Sequence, residues 1–171
     1  MTRSLFLASV TLFLCNAAFA QSPDPDKDAL AIIELGGAAG WNLKGGQPSY
    51  GPDVAVEVTP IEKWLELEAG FTPLFSRGHA AEWSVDLLFK KPWTLSRKLE
   101  FMAGIGPEWV HTREDGAQRN SLAAEAVLDF MFWPTAKRKF GWFVEPGYEY
   151  NFARGHERSF GISAGLLIAF R

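Results

Sequence analysis

The sequence predicts an all-β chain: an eight-stranded antiparallel up-and-down transmembrane β-barrel. Three observations carry that prediction. Large apolar residues alternate with small or polar ones along nearly the whole chain after residue 28, and successive side chains of a strand face opposite ways. The alternating runs are separated by connections of two chemical kinds, which themselves alternate. The apolar parity is also too bulky for the inside of so small a ring.

Residues 1–20 read as a secretory signal peptide, with Arg3 ahead of the apolar run Leu5 to Cys15 and a cleavage site at Ala18-Phe19-Ala20. That run is too short to span a bilayer as a helix. Leu14 precedes Cys15 where lipoprotein processing needs a small residue, so lipidation is not expected. Cys15 is the only cysteine, and a processed chain is expected to lack disulfide and thiol chemistry. Residues 21–28, holding two prolines and three aspartates, form a solvated periplasmic leader. Residues 29–171 make one barrel domain. A net charge of −3 without a basic stripe argues against a nucleic-acid partner.

The strands follow in order from period-2 runs between turn signals. The first, Ala29–Asn42, sets Leu35 and Trp41 against Gly36 and Gly40 and stops at the loop Leu43–Pro52. The second, Asp53–Thr59, is short and ends at the turn Pro60–Lys63. The third, Trp64–Leu74, alternates Leu67 and Phe71 with Glu66, Glu68 and Gly70 before Phe75–Ala80. The fourth, Ala81–Lys90, opposes Trp83, Val85 and Phe89 to Glu82 and Asp86, and the turn Lys91–Lys98, which contains Pro92, follows. The fifth, Leu99–His111, places Phe101 and Trp109 against Gly104, Gly106 and Glu108, ahead of the loop Thr112–Ser121. The sixth, Leu122–Phe132, sets Leu128 and Phe130 against Glu125 and Asp129 and meets Pro134–Lys139. The seventh, Phe140–Phe152, opposes Trp142 and Tyr148 to Glu145, Gly147 and Glu149, and Ala153–Arg158 follows. The eighth, Ser159–Phe170, carries Phe160, Ile162, Leu166 and Phe170 on one face and Ser159, Gly161 and Gly165 on the other.

Connections rich in proline, lysine and arginine alternate with connections rich in Gly, Arg, His, Asn and Asp. Three inner turns and four outer loops suit an even-stranded barrel with both termini inside. Pro107 and Pro146 fall within strands, where each removes a ladder donor, and local bulges are expected there. A soluble barrel of lipocalin type would need the bulky parity inside, and an eight-stranded ring has no such room. The small parity fits a cramped interior, and Trp and Tyr gather towards strand ends like an interfacial girdle.

With these strands and with Phe170 near the end, the chain resembles the eight-stranded bacterial outer-membrane barrels of the outer membrane protein A and X types. The resemblance covers the whole processed chain. It implies the outer membrane of a Gram-negative envelope, insertion by the barrel assembly machinery, contact with outer-membrane lipid and lipopolysaccharide, and a monomer. Arg171 follows Phe170, where assembly signals of that group usually end in the aromatic. No cofactor is implied.

Charge projected onto the strands makes the lumen acidic. Glu34, Glu57, Glu66, Glu68, Glu82, Asp86, Glu100, Glu108, Glu125, Asp129, Glu145 and Glu149 all fall on the interior parity, twelve of the twenty acidic residues. Bases are almost absent from strand interiors, with Lys90 and Arg171 expected at the inner rim. Carboxylates crowded in a narrow lumen repel one another and lose hydration. Protonation, a water-filled lumen, loop arginines folding in, or bound divalent cations would each relieve them, since carboxylate oxygens suit hard cations.

The three histidines, His79, His111 and His156, fall in or beside outer loops. With Glu108, Glu114 or Glu157 they offer an imidazole-carboxylate set for a transition metal. Arg77, Arg113, Arg119, Arg154 and Arg158 offer bidentate donors to lipopolysaccharide phosphates instead. Catalysis would need a nucleophile with a base in reach. Ser84 and Ser121 lie near strand ends, but no spacing ties either to a histidine, and no enzyme is predicted. The reading is a structural or envelope-interaction barrel. The alternatives are a narrow cation-binding or cation-conducting barrel and a lipid A-modifying enzyme.

Overall fold

The computed structural model describes residues 30–45, 48–76, 81–114, 117–135, 137–153 and 155–170; the expected signal peptide and leader lie outside them. Eight strands are present: β1 (Ala31–Asn42), β2 (Ser49–Ile61), β3 (Leu65–Ser76), β4 (Ala81–Ser96), β5 (Leu99–Glu114), β6 (Ala117–Phe132), β7 (Phe140–Asn151) and β8 (Arg158–Phe170). Each pairs antiparallel with the next, and β8 returns to β1 to close the ring. The closing ladder is unbroken from Ala31 opposite Phe170 to Asn42 opposite Ser159. A closed ring leaves no strand edge to be satisfied elsewhere.

The predicted facing holds around the ring. Leu35, Val54, Phe71, Val85, Ile105, Leu128, Trp142 and Leu166 are all exposed on the outside. The soluble alternative, which needs that parity inside, is overturned. An apolar wall of this extent is what an acyl-chain environment requires. Aromatic rings pair across neighbouring strands near both ends of the wall. Trp83 and Trp109 meet edge-on at 4.8 Å towards the outer end, and Trp93 stacks on Phe101 at 5.5 Å towards the inner one.

Several strands outrun their predicted ends. β4 continues through Pro92 to Ser96, β2 starts at Ser49, and β5 and β6 extend together to Glu114 and Ala117. Paired strands extend one another wherever their partner offers a ladder, and that is invisible in either segment alone. The expected bulges at Pro107 and Pro146 do not form. Register is kept across both, and the ladder simply skips the positions opposite them, Leu87–Leu88 in β4 and Leu128–Asp129 in β6. Pro52 and Pro73 fall opposite each other in β2 and β3, and that ladder is silent between Tyr50 and Val54. Register shifts instead occur beside inner turns, between Val58 and Ile61 and between Thr94 and Ser96.

The end expected to face inward, where the connections 62–64, 97–98, 133–135 and 137–139 lie, holds an apolar plug. Ile32, Met102, Met131, Trp133, Phe143 and Leu167 pack there as one buried apolar cluster. Burying side chains of this size stabilises by roughly 1.5–3 kcal/mol each.

Candidate functional site: an acidic well and its floor

A charged layer sits directly on the apolar plug. Each of Ile32, Met131 and Phe143 lies two residues nearer the inner end than a carboxylate of the same strand and parity: Glu34, Asp129 and Glu145. Lys90 stands among these carboxylates, and its expected place at the inner rim is corrected. Because β4 runs on to Ser96, Lys90 is mid-strand and fully buried. Its Nζ donates to Glu68 and Glu145 and, at 3.2 Å, to Asp129 Oδ2. Glu66 lies opposite Lys90 in the β3–β4 ladder and is buried.

Glu34 from β1, Glu57 from β2, Glu68 from β3 and Asp129 from β6 converge beside Lys90. Each offers an oxygen, and these oxygens all lie within 4.8 Å of one another. All four residues are buried. Glu34 Oε1 and Asp129 Oδ1 have no hydrogen-bond partner. Closer to the inner mouth, Arg138 of the β6–β7 connection donates to Glu100 Oε2 at 2.8 Å. Neither of these two bases comes from an outer loop.

Above the charged floor the lumen widens into a cavity of about 400 Å³ reaching the outer mouth at Asn42, Gly45 and Glu157. Asp53, Glu82, Asp86, Glu108, Glu125, Glu145 and Glu149 line its wall, with Glu68 at the floor. Among the described residues no lysine or arginine lines it. Glycine makes seats for these groups. A Cβ at Gly70 would lie 2.4 Å from Asp86 Oδ1. Thr112 Oγ1 donates to Glu82 at 3.3 Å, whereas Asp86 Oδ2 and Glu108 Oε2 are buried without a partner.

Asp53 is a lumen carboxylate that sequence reasoning missed. It shares the parity of Glu57, and the signal was there, but it was placed at the very start of its strand. With β2 beginning at Ser49 it is enclosed, and Thr72 Oγ1 donates to its Oδ1 at 2.7 Å.

Two of the three histidines, His111 and His156, lie among the described residues. His111 lies within β5 on the outward parity, its Nδ1 at 2.7 Å from Asn120 Oδ1 and its ring 4.9 Å from Trp83. His156 adopts a φ of 48° in the β7–β8 connection and stacks on Tyr150 at 5.8 Å. His79 lies outside the described residues. Among those described, neither histidine joins a cluster of three or more potential metal ligands. Arg77, Arg154 and Arg171 also fall outside them. Arg113 and Arg158 are exposed on the outward parity, Arg158 lying 5.9 Å over the Tyr150 ring. Arg119 is exposed on the inward parity at the mouth. Ser84 faces the cavity, and Ser121 accepts from Asn151 at 2.9 Å. Both point inward, so the barrel wall separates them from His111.

No protein-family model and no curated protein sequence matches the chain. Solved structures do. Neisserial surface protein A matches with a TM-score of 0.62 at 12% identity, over 82% of this chain and 96% of that one. Ail, the attachment invasion locus protein of Yersinia pestis, matches with a TM-score of 0.58 at 11% identity, over 84% and 100%. The N-terminal β-barrel domain of Pseudomonas aeruginosa OprF gives a TM-score of 0.55 at 14% identity, over 82% and 100%. The fold is that of the small eight-stranded outer-membrane barrels.

Proposed function

We propose that the protein is an outer-membrane β-barrel with a structural or envelope-interaction role, blocked at its periplasmic end and open outward as an acidic well. The observation that carries this reading is the pairing of an apolar outer wall with a stoppered lumen. The wall calls for lipid around it. The buried apolar plug of Met102, Met131, Trp133 and Phe143 fills the inner end of the lumen with groups that do not hydrate an ion, which argues against the conducting alternative.

Arg113 and Arg158, outward at the outer end, are suited to the phosphates of lipopolysaccharide through charge-assisted hydrogen bonds. A closed ring gives the chain no edge through which to pair with a copy of itself, in keeping with a monomer inserted by the barrel assembly machinery. Neisserial surface protein A is named for a surface and Ail for attachment and invasion, and the fold shared with them supports an envelope role. The inward serines, walled off from His111, give no support to lipid A chemistry.

The test combines membrane fractionation with planar-bilayer recording of the purified protein. The protein is expected in the outer-membrane fraction, with no sustained unitary conductance. Regular cation-selective steps would overturn the blocked-lumen reading, and a soluble periplasmic protein would overturn the location.

A further inference from the structure

We propose that Glu34, Glu57, Glu68 and Asp129 form a buried site for one hard divalent cation of calcium's size, loaded from outside through the acidic well. Four strands deliver one carboxylate each to the same point, with ligand oxygens no more than 4.8 Å apart. Calcium holds its oxygens at about 2.3–2.6 Å, so two oxygens across one ion stand roughly 4.6–5.2 Å apart. The quartet's oxygens, none more than 4.8 Å from another, fall within reach of one such ion.

The second observation is a buried carboxylate with an unpartnered oxygen. Glu34 is 1% exposed, points into the quartet, and its Oε1 has no hydrogen-bond partner. Asp129 is divided in the same sense. Its Oδ2 takes Lys90 at 3.2 Å, while its Oδ1 is buried and unpartnered. Native interiors rarely leave buried carboxylate oxygens unmatched. The one ammonium is also shared with Glu145 and lies opposite Glu66, so it cannot neutralise the quartet, which sits in a place that water barely reaches. A divalent ion offsets two negative charges there and offers a partner to buried carboxylate oxygens that have none.

The donor set also selects the ion. Every ligand is a carboxylate oxygen, which suits calcium, magnesium or manganese over metals that favour imidazole or thiolate. Magnesium demands near-ideal octahedral geometry and gives up water reluctantly, so an irregular, largely dehydrated quartet suits calcium better. Lys90 acts as a fixed strut that holds Glu68 and Asp129 in place. Access runs from above, because Glu68 belongs both to the quartet and to the floor of the well. The carboxylates up the well wall concentrate cations along that path. Protons are the other means of neutralising the quartet, and the experiment separates the two.

The mature protein is refolded into phosphatidylcholine vesicles, which keep background calcium binding low. It is stripped with EDTA and dialysed to equilibrium against radioactive calcium at neutral pH. One calcium per barrel is expected, with magnesium binding at least tenfold more weakly. Glu34→Gln and Glu57→Gln are each expected to weaken calcium binding at least tenfold, while Glu149→Gln, in the well but outside the quartet, keeps the single site. Heat-modifiable gel mobility establishes that each variant is folded. As a second readout, calcium should raise the urea midpoint of the wild type but not of Glu34→Gln, because a ligand that binds only the folded state stabilises it. Absence of saturable calcium binding, or equal binding by wild type and folded Glu34→Gln, would overturn the site in favour of protons. An equal loss in Glu149→Gln would move it to the well.

Discussion

Lys90 on β4 faces Gly104 on β5 at a directly paired position, and the glycine's missing side chain makes room for the lysine stem. A Cβ on Gly104 would lie 2.7 Å from Lys90 Cγ. The pair places a fully buried ammonium among carboxylates from three other strands.

Lys90→Met keeps the stem and removes the charge, leaving buried carboxylates without their base. Breaking a buried ion cluster from one side costs about 3–5 kcal/mol. Urea unfolding in lipid vesicles should show that loss, and adding Glu68→Gln and Glu145→Gln to Lys90→Met should recover much of it. A Lys90→Met barrel as stable as wild type would mean that Lys90 compensates nothing.

Gly104→Val should destabilise by about 1–3 kcal/mol through overpacking, because the new methyls compete with the Lys90 stem. In the Lys90→Ala background, where the stem is gone, the same substitution should cost markedly less. The double-mutant cycle measures that coupling, and purely additive effects would count against it.

Leu128 and Val85 are exposed on the outer wall, so arginine at either should destabilise the barrel in lipid by roughly 2–4 kcal/mol if mid-membrane. Glu125→Gln, inward on β6 three residues from Leu128, should cost little or stabilise, since it relieves like-charge crowding. Paired unfolding curves in vesicles check the contrast, and the reverse order would invert the facing.

Thr72→Val removes the hydroxyl that donates to Asp53 at 2.7 Å while keeping the shape. A hydrogen bond to a charged group contributes about 1.5–3 kcal/mol, and a loss of that order is expected. Thr72→Ser should retain most of it. Equal stability of all three proteins would show that water replaces the bond freely.

Single cysteines at Gly45 and Gly155 should react with an impermeant maleimide on intact cells, whereas those at Lys63 and Lys137 should react only after lysis. Labelling of Lys137 equal to that of Gly155 would exclude the assigned orientation.

Much of this molecule was legible one segment at a time. Alternation along Ser159–Phe170, or along Leu65–Ser76, separates wall-facing from lumen-facing residues by a local rule of period two. A ring too small for the bulky parity then decides which face is outside. Those arguments need no neighbour, and they placed the twelve predicted lumen carboxylates on the interior side. They mislocated what depends on a partner strand. Pro92 looked like the end of β4, yet β5 offered a ladder beyond it, and Lys90 moved from the rim to the middle of the charge. Asp53 was lost for the same reason at the start of β2. The sequence alone also left open which inward residues meet, because parity assigns a side of the wall and not a height along the barrel. Height is set by register and stagger around a closed ring, where each ladder fixes the next. Only that closure set Glu34, Glu57, Glu68 and Asp129 at one level, on a plug of apolar side chains and beneath an open well.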